Sequence, residues 1–163
     1  MRAVSNTSPI SNLATIDRLS LLRSQFQEIL IPDAVARELK AHPEAAANDR
    51  IENALKEQWI RVAAPRDSHL LRVLLLQLHP GEAETIALAA DQSADIVLID
   101  EREGRHLATK VGLAVTGVLG ILLRAKRAGQ IEAIRPEIER LRTKAGFFLS
   151  ASLEARVLAA AGE

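Results

Sequence analysis

The chain has 163 residues and 48% hydrophobic content, enough to bury one core and make one domain. It carries no formal net charge and no cysteine, which excludes disulfides, thiolate nucleophiles and cysteine-held zinc. No apolar run approaches the ~20 residues that span a bilayer. Met1-Arg2-Ala3-Val4-Ser5 is not the opening of a signal peptide, so the expected setting is the cytoplasm, away from membranes.

In chain order, Ala3–Ser5 reads as a short buried strand ending at Asn6-Thr7-Ser8. Ser8-Pro9 opens a helical stretch in which Ile10, Leu13, Ile16, Leu19 and Leu22 recur every three residues. Glu28–Ile31 is a second strand, and Pro32-Asp33 starts a helix carrying Val35, Glu38 and Leu39. Pro43 opens a more polar helix to about Gln58, and Trp59–Ala63 is a short strand or extended link. Leu70–Leu78 is apolar nearly all round and is expected to be a well-buried helix. After the break at His79-Pro80-Gly81, Glu82–Asp91 is helical and Ile96–Ile99 is the clearest strand. Arg102–Val111 is expected as a helix, Leu113–Val115 as a strand and Gly117–Ala128 as a helix. The remainder from Ile131 is mostly helical, interrupted near Pro136 and Gly146. Strands separated by helices imply an α/β fold whose parallel sheet has right-handed crossovers.

Two strands end in polar clusters, Asn6-Thr7-Ser8 and Asp100-Glu101. Ligands in open α/β sheets sit beyond the carboxyl ends of strands, so central placement of both would bring these groups to one crevice. Oxygen donors without cysteine or a glycine-rich loop suit a hard cation such as Mg²⁺ or Mn²⁺. Glu38 lies at the margin of an apolar helix face, while Glu82 and Glu84 flank the Ala83, Ile86, Ala87 and Ala90 stripe, so only one of them need face the crevice. Each of these acids has an ordinary alternative as a solvated face, a dipole partner or a turn former. Ser5, Ser8 and Ser11 lack a nearby histidine, and the four histidines lack zinc spacing.

Charge is uneven along the chain. Residues 1–103 hold 11 Lys/Arg against 16 Asp/Glu, a balance of −5, and residues 104–163 hold 10 against 5, a balance of +5. An acidic part to hold metal and a basic part to hold phosphate would suit a nuclease, although solvated helix faces account for such a split equally simply. Trp59, Phe26, Phe147 and Phe148 are too few to stack several bases, so any nucleic acid would be held mainly by its backbone.

The run VSNTSPISNLATIDRLSLL followed by EILIPDAVARELKAHP resembles the opening of PIN-domain proteins of the VapC-like kind, and GEAETIALAADQSADIVLIDEREGRHLATKVGLAVTGVLGILLRAKRAGQI continues it. The resemblance covers roughly residues 3–131, and the end, ASLEARVLAAAGE, resembles a PIN-like bacterial branch. It implies a three-layer α/β/α fold with a mainly parallel sheet, here forming a single domain over residues 1–163 with a helical C-terminal extension. It also implies a metal-dependent endoribonuclease using Mg²⁺ or Mn²⁺, the toxin of a type II toxin–antitoxin pair. RNA, a cognate antitoxin and a second copy in a homodimer are the implied partners. Carried over by residue, the four metal-shell positions fall on Asn6, Glu38, Glu82, and Asp100 or Glu101, with Thr7, Ser8 and Arg102 beside them as substrate-binding groups. The family pattern has an acid where this chain has Asn6, an oxygen donor without charge. Glu38, Glu82 and Asp100 are expected within reach of one metal. The competing readings are a catalytically weak scaffold binding RNA or protein, and a small Mg²⁺-binding regulatory domain.

Overall fold

Short apolar segments rich in Val, Ile and Leu form five strands: β1 (Arg2–Ser5), β2 (Glu28–Ile31), β3 (Ile60–Val62), β4 (Ile96–Leu98) and β5 (Val115–Thr116). The computed structural model describes Met1–Glu163. All four strand pairings are parallel, in the order β3-β2-β1-β4-β5. β1 is central, with Val4 opposite Leu30 on one side and Val97 on the other. Successive side chains enter opposite layers, as the two-residue period of a strand requires. Ala3, Ile29, Ile96 and Leu98 join the larger core, whereas Val4, Leu30, Val97 and Ile99 join the smaller.

Ten helices fill the two outer layers. The larger core is closed mainly by α1 (Thr7–Thr15), α2 (Ser20–Gln25), α4 (Ala45–Lys56), α8 (Val118–Arg127), α9 (Arg135–Ala145) and α10 (Ala151–Ala161), through residues such as Ile10, Leu22, Ile51, Leu122, Ile138 and Val157. α3 (Asp33–Lys40) adds Val35 and Leu39 to it. The smaller core is closed by α5 (His69–Leu75), α6 (Pro80–Asp91) and α7 (Arg102–Lys110), through Leu74, Ile86 and Ala108. The result is the expected three-layer α/β/α fold. The C-terminal helices belong to the main core, since Ile138, Leu141, Val157 and Leu158 are all buried in it. The chain steps from β1 outward to β2 and β3, then returns across β1 to β4. That reversal opens a crevice beyond the carboxyl ends of β1 and β4.

Three local expectations are corrected. The stretch from Ser8 to Leu22 is two helices, broken at Asp17, whose φ is +58°. A strict three-residue apolar repeat drifts off the 3.6-residue stripe, and Arg50 fixes the break by donating to the Ala14 carbonyl at 2.7 Å and pairing with Asp17 at 2.9 Å. α5 is not well buried: only Leu74 of this helix is fully buried, Leu70 and Leu71 are half-buried, and Leu76 just after it is 84% exposed. Pro136 opens α9 at its first turn, where a missing N–H costs nothing, and so does not interrupt a helix.

Candidate active site at the sheet switch point

The end of β1 places Asn6 under the crevice. Its backbone N–H continues the β1–β4 ladder by donating to Leu98 at 2.9 Å. Asn6 is the N-cap of α1, yet its side chain makes no cap bond to that helix. Instead its amide donates to Glu101 Oε2 at 3.1 Å, and the Asn6 side chain is buried there. The next two hydroxyls serve acids as well, Thr7 donating to Glu38 and Ser8 to Glu101. Both hydroxyls expected to meet substrate, Thr7 and Ser8, are thus engaged by carboxylates.

The two residues after β4 divide the work. Asp100 turns toward α8, accepting the Val118 N–H at 2.7 Å and the Asn12 amide at 3.5 Å. Glu101 turns the other way, toward Asn6 and Ser8. On α6, Glu82 and Glu84 separate in the same manner. Glu84 accepts the Ala34 N–H at the start of α3, at 3.3 Å, while Glu82 lines the crevice with Asp100 and Glu101. Burial is the main cause that raises the Glu82 carboxyl, and the Glu101 charge adds to it. Burial also pushes Asp100 up to about 6, against the opposing pull of the Val118 N–H.

Glycines make this packing of acids feasible, a feature the sequence reading passed over. A Cβ on Gly81 would lie 2.9 Å from Glu38 Oε1 and 3.3 Å from Asn6 Oδ1. A Cβ on Gly104 would lie 2.9 Å from Glu82 Oε1, and one on Gly117 would collide with Asp100 Oδ1. Three glycines at the starts of α6, α7 and α8 thus each leave room for one carboxylate. The same helix N-termini favour negative charge in front of them. The spacing of the three glycines gives no sign of this packing, because the carboxylates they face come from other elements.

A pocket of about 1180 Å³ opens from this cluster along α7. Glu82, Asp100 and Glu101 form its acidic end, while α7 supplies Arg102, Arg105 and His106 together with a fourth carboxylate, Glu103. Arg105 is tied to the sheet by a 2.9 Å bond to the Ile99 carbonyl, whereas Arg102 is exposed. In kind, the donors fit Mg²⁺ or Mn²⁺: hard oxygens from β1, α3, α6 and the β4 end, several of them carboxylates. In arrangement, the expectation that Glu38, Glu82 and Asp100 surround one point is corrected. No group of three or more Asp, Glu or His side chains does so. Glu38 sits with Asn6 and Thr7, and Asp100 with Asn12 and Val118, because like charges separate onto hydroxyl and amide donors.

A five-stranded parallel sheet between two helical layers, with acids gathered at its switch point, is a three-layer α/β/α architecture. Within it, the chain belongs to the PIN-domain family, whose model matches residues 2–163. PIN domains are generally nucleases. The structure is similar to that of a PilT N-terminus domain protein from the hyperthermophilic archaeon Sulfolobus solfataricus P2. The TM-score is 0.50 at 15% identity, over 77% of this chain and 93% of that one. A domain of a functionally unknown protein from Methanocaldococcus jannaschii DSM 2661 matches with TM-score 0.46 at 18% identity, over 71% of this chain and 89% of that one. No curated protein matches the sequence. No helix is long and apolar enough to cross a membrane.

Proposed function

We propose that the chain is a metal-dependent endoribonuclease and the toxin of a type II toxin–antitoxin pair, acting in the cytoplasm and opposed by a cognate antitoxin. The observation that carries the nuclease reading is the convergence of Asn6, Glu38, Glu82 and the Asp100-Glu101 pair on one crevice, with glycines backing three of the acids. Since no three of these acids share one point as they stand, Asn6 Oδ1, Glu38, Glu82 and Glu101 would have to close in to hold Mg²⁺ or Mn²⁺, with Asp100 as the further carboxylate. When bound, the cation supplies a water of lowered pKa and neutralises charge on the phosphoryl oxygens.

The chain's own residues prepare that chemistry. Thr7 and Ser8 fix the rotamers of Glu38 and Glu101, and the Asn6 amide adds a second donor to Glu101. Preorganised acids lose less freedom when they gather around a charge. Asp100 ties the start of α8 to the crevice. Arg102 stands on the α7 side of the pocket, where a substrate phosphate would approach. The products expected by family resemblance are a 5′-phosphate and a 3′-hydroxyl.

Purified protein with Mn²⁺ should cleave single-stranded RNA, EDTA should abolish cleavage, and Glu82→Gln and Glu101→Gln should each lose nearly all of it while melting no lower than the parent. Mn²⁺ should also raise the parent's melting temperature, through linkage, and not that of the Glu82→Gln/Glu101→Gln protein. Cleavage that persists in EDTA or in both variants would remove the metal nuclease reading. Growth arrest on expression, relieved by the product of an adjoining reading frame, would support the toxin role. Normal growth at high expression of cleaving protein would refute it.

A further inference from the structure

We infer that the wall of the pocket built by α7 and α10 is a nucleotide subsite for single-stranded RNA, with one backbone phosphate at Arg102 and His106 and the adjoining base against Leu153. Arg102, His106 and Thr109 occupy one face of α7 at helical spacing, and all three line the pocket. The opposite face carries the buried Gly104 and Ala108. Neither Arg102 nor His106 makes a side-chain hydrogen bond or belongs to any of the ion pairs that occupy Arg2, Arg18, Arg23, Arg61 and Arg142. Two exposed, unengaged basic side chains one turn apart form a short rail for a phosphate.

The rest of that wall is Glu103, Arg105 and a single apolar residue. Leu153 is the one hydrophobic residue among the nine that line the pocket, and it is 38% exposed. It stands one turn before Val157, so it extends the packing stripe of α10 beyond the core and into the pocket. Its position is fixed. Ser150 caps α10 by accepting the Leu153 N–H at 3.2 Å, and the neighbouring Glu154 is clamped by Arg142 of α9. A ligand matching a basic rail beside a single apolar residue must present a negative group and a flat face close together. A nucleotide does so when its base is free of a partner strand. The acidic end of the same pocket lies next to it, so the nucleotide held here flanks the phosphate that would be cut. This last step rests on the nuclease reading, while the binding itself does not.

Binding is tested on Glu82→Gln/Glu101→Gln protein in EDTA, which removes cleavage and two of the four carboxylates that line the pocket. Fluorescence anisotropy with a labelled single-stranded RNA decamer should then show salt-dependent binding. Arg102→Ala should weaken it and lower the log–log salt slope by about 0.7, the share of one phosphate on a single strand. Leu153→Ala should weaken binding roughly fivefold, at the low end for loss of a base contact, and Leu153→Trp should tighten it. The decisive arm scans an abasic nucleotide along the decamer, where the Leu153→Ala loss should vanish at one position only. A poly-glutamate decapeptide should compete far less well than RNA against the Leu153 parent.

An unchanged salt slope in Arg102→Ala, a Leu153→Ala loss that survives at every abasic position, or equal competition by poly-glutamate would overturn the subsite. Normal melting of each variant excludes misfolding as the cause. The two readings fail separately. Altered binding in a protein that never cleaves would leave the subsite and remove the nuclease. EDTA-sensitive cleavage with unmoved binding would do the reverse.

Discussion

Asp100 carries the sharpest conflict between stability and function. Its ordinary pKa is 3.8 and burial moves it to about 6 in the fold. A folded pKa above the unfolded one means the native state binds its proton more tightly. The contribution is therefore fully present below about pH 4, falls as pH rises to about 6, and stays lost above that. The penalty at neutral pH is on the order of 3 kcal/mol, at about 1.4 kcal/mol per tenfold change in proton affinity. Asp100→Asn should flatten the melting temperature between pH 4 and 7, melt higher than the parent at pH 7 without metal, and cut poorly. A variant whose melting temperature keeps the parent's pH slope would remove Asp100 as its source. At Asn6, Asn6→Asp would set a carboxylate against Glu101, where the amide now donates at 3.1 Å. The variant should melt lower than the parent without metal and gain more from Mn²⁺, because like charges repel until a cation joins them. Parallel titrations of melting temperature against Mn²⁺ would take Asn6 out of the site. Gly81→Ala tests the packing directly. A methyl 2.9 Å from Glu38 Oε1 must displace that carboxylate. Cleavage should fall at least tenfold, while the helix-favouring alanine costs α6 no stability. Wild-type turnover in Gly81→Ala would show that Glu38 is not needed where it stands.

Among the elements, four helix N-termini do most to build the site: α1 follows Asn6, α6 begins at Pro80, α7 follows Glu101, and α8 donates Val118 N–H to Asp100. The strands that aim them were legible because β1, β2 and β4 are short Ala, Val, Ile and Leu runs bounded by polar turns. Asn6, Glu38 and Glu82 were singled out as metal-shell positions only through the family resemblance, since spacing alone left Glu38 an ordinary surface acid and did not decide between Glu82 and Glu84. The split between Asp100 and Glu101 was not legible, because it depends on a backbone N–H 18 residues farther on. Nor could spacing show that Gly81, Gly104 and Gly117 each face a carboxylate, since those acids arrive from other elements. The misreading of α5 has a plain cause: apolar content measures hydrophobicity, not contact. Val73, Leu75 and Leu76 face outward for want of a covering layer on this flank. Leu76→Glu should therefore change the urea midpoint hardly at all, within the ±0.5 kcal/mol of ordinary surface substitutions. A loss above about 2 kcal/mol would mean that something in the native protein covers this helix.

At the scale of the whole molecule, one ion pair runs between the acidic first 103 residues and the basic last 60, and further ties hold the last 60 together. Arg18, in the turn after α1, reaches Glu137 on α9 at 2.8 Å. Lys126 and the carboxylate of Glu163 lie 3.9 Å apart, and Glu163 also accepts the Ile134 and Arg135 N–H groups at the start of α9. These ties set α9 and, through Arg142 and Glu154, α10 against the core, and so place Leu153 at the pocket. Glu137 is nearly fully buried, and the Arg18 Nε facing this region is buried without a partner. Removing one member of such a pair leaves a charge with no counterpart, which costs more than the pair ever contributed. Glu137→Ala should thus lower stability by about 3 kcal/mol, read from urea unfolding. Arg140, which also contacts Glu137 at 3.3 Å, keeps its route to solvent and should rescue little. Replacing both partners, Arg18→Met with Glu137→Leu, should recover most of the loss, because an apolar pair of similar size leaves nothing buried and uncompensated. If the double variant is no more stable than Glu137→Ala, the lost stability came from packing around α9, and the ion pair is not what binds the two halves.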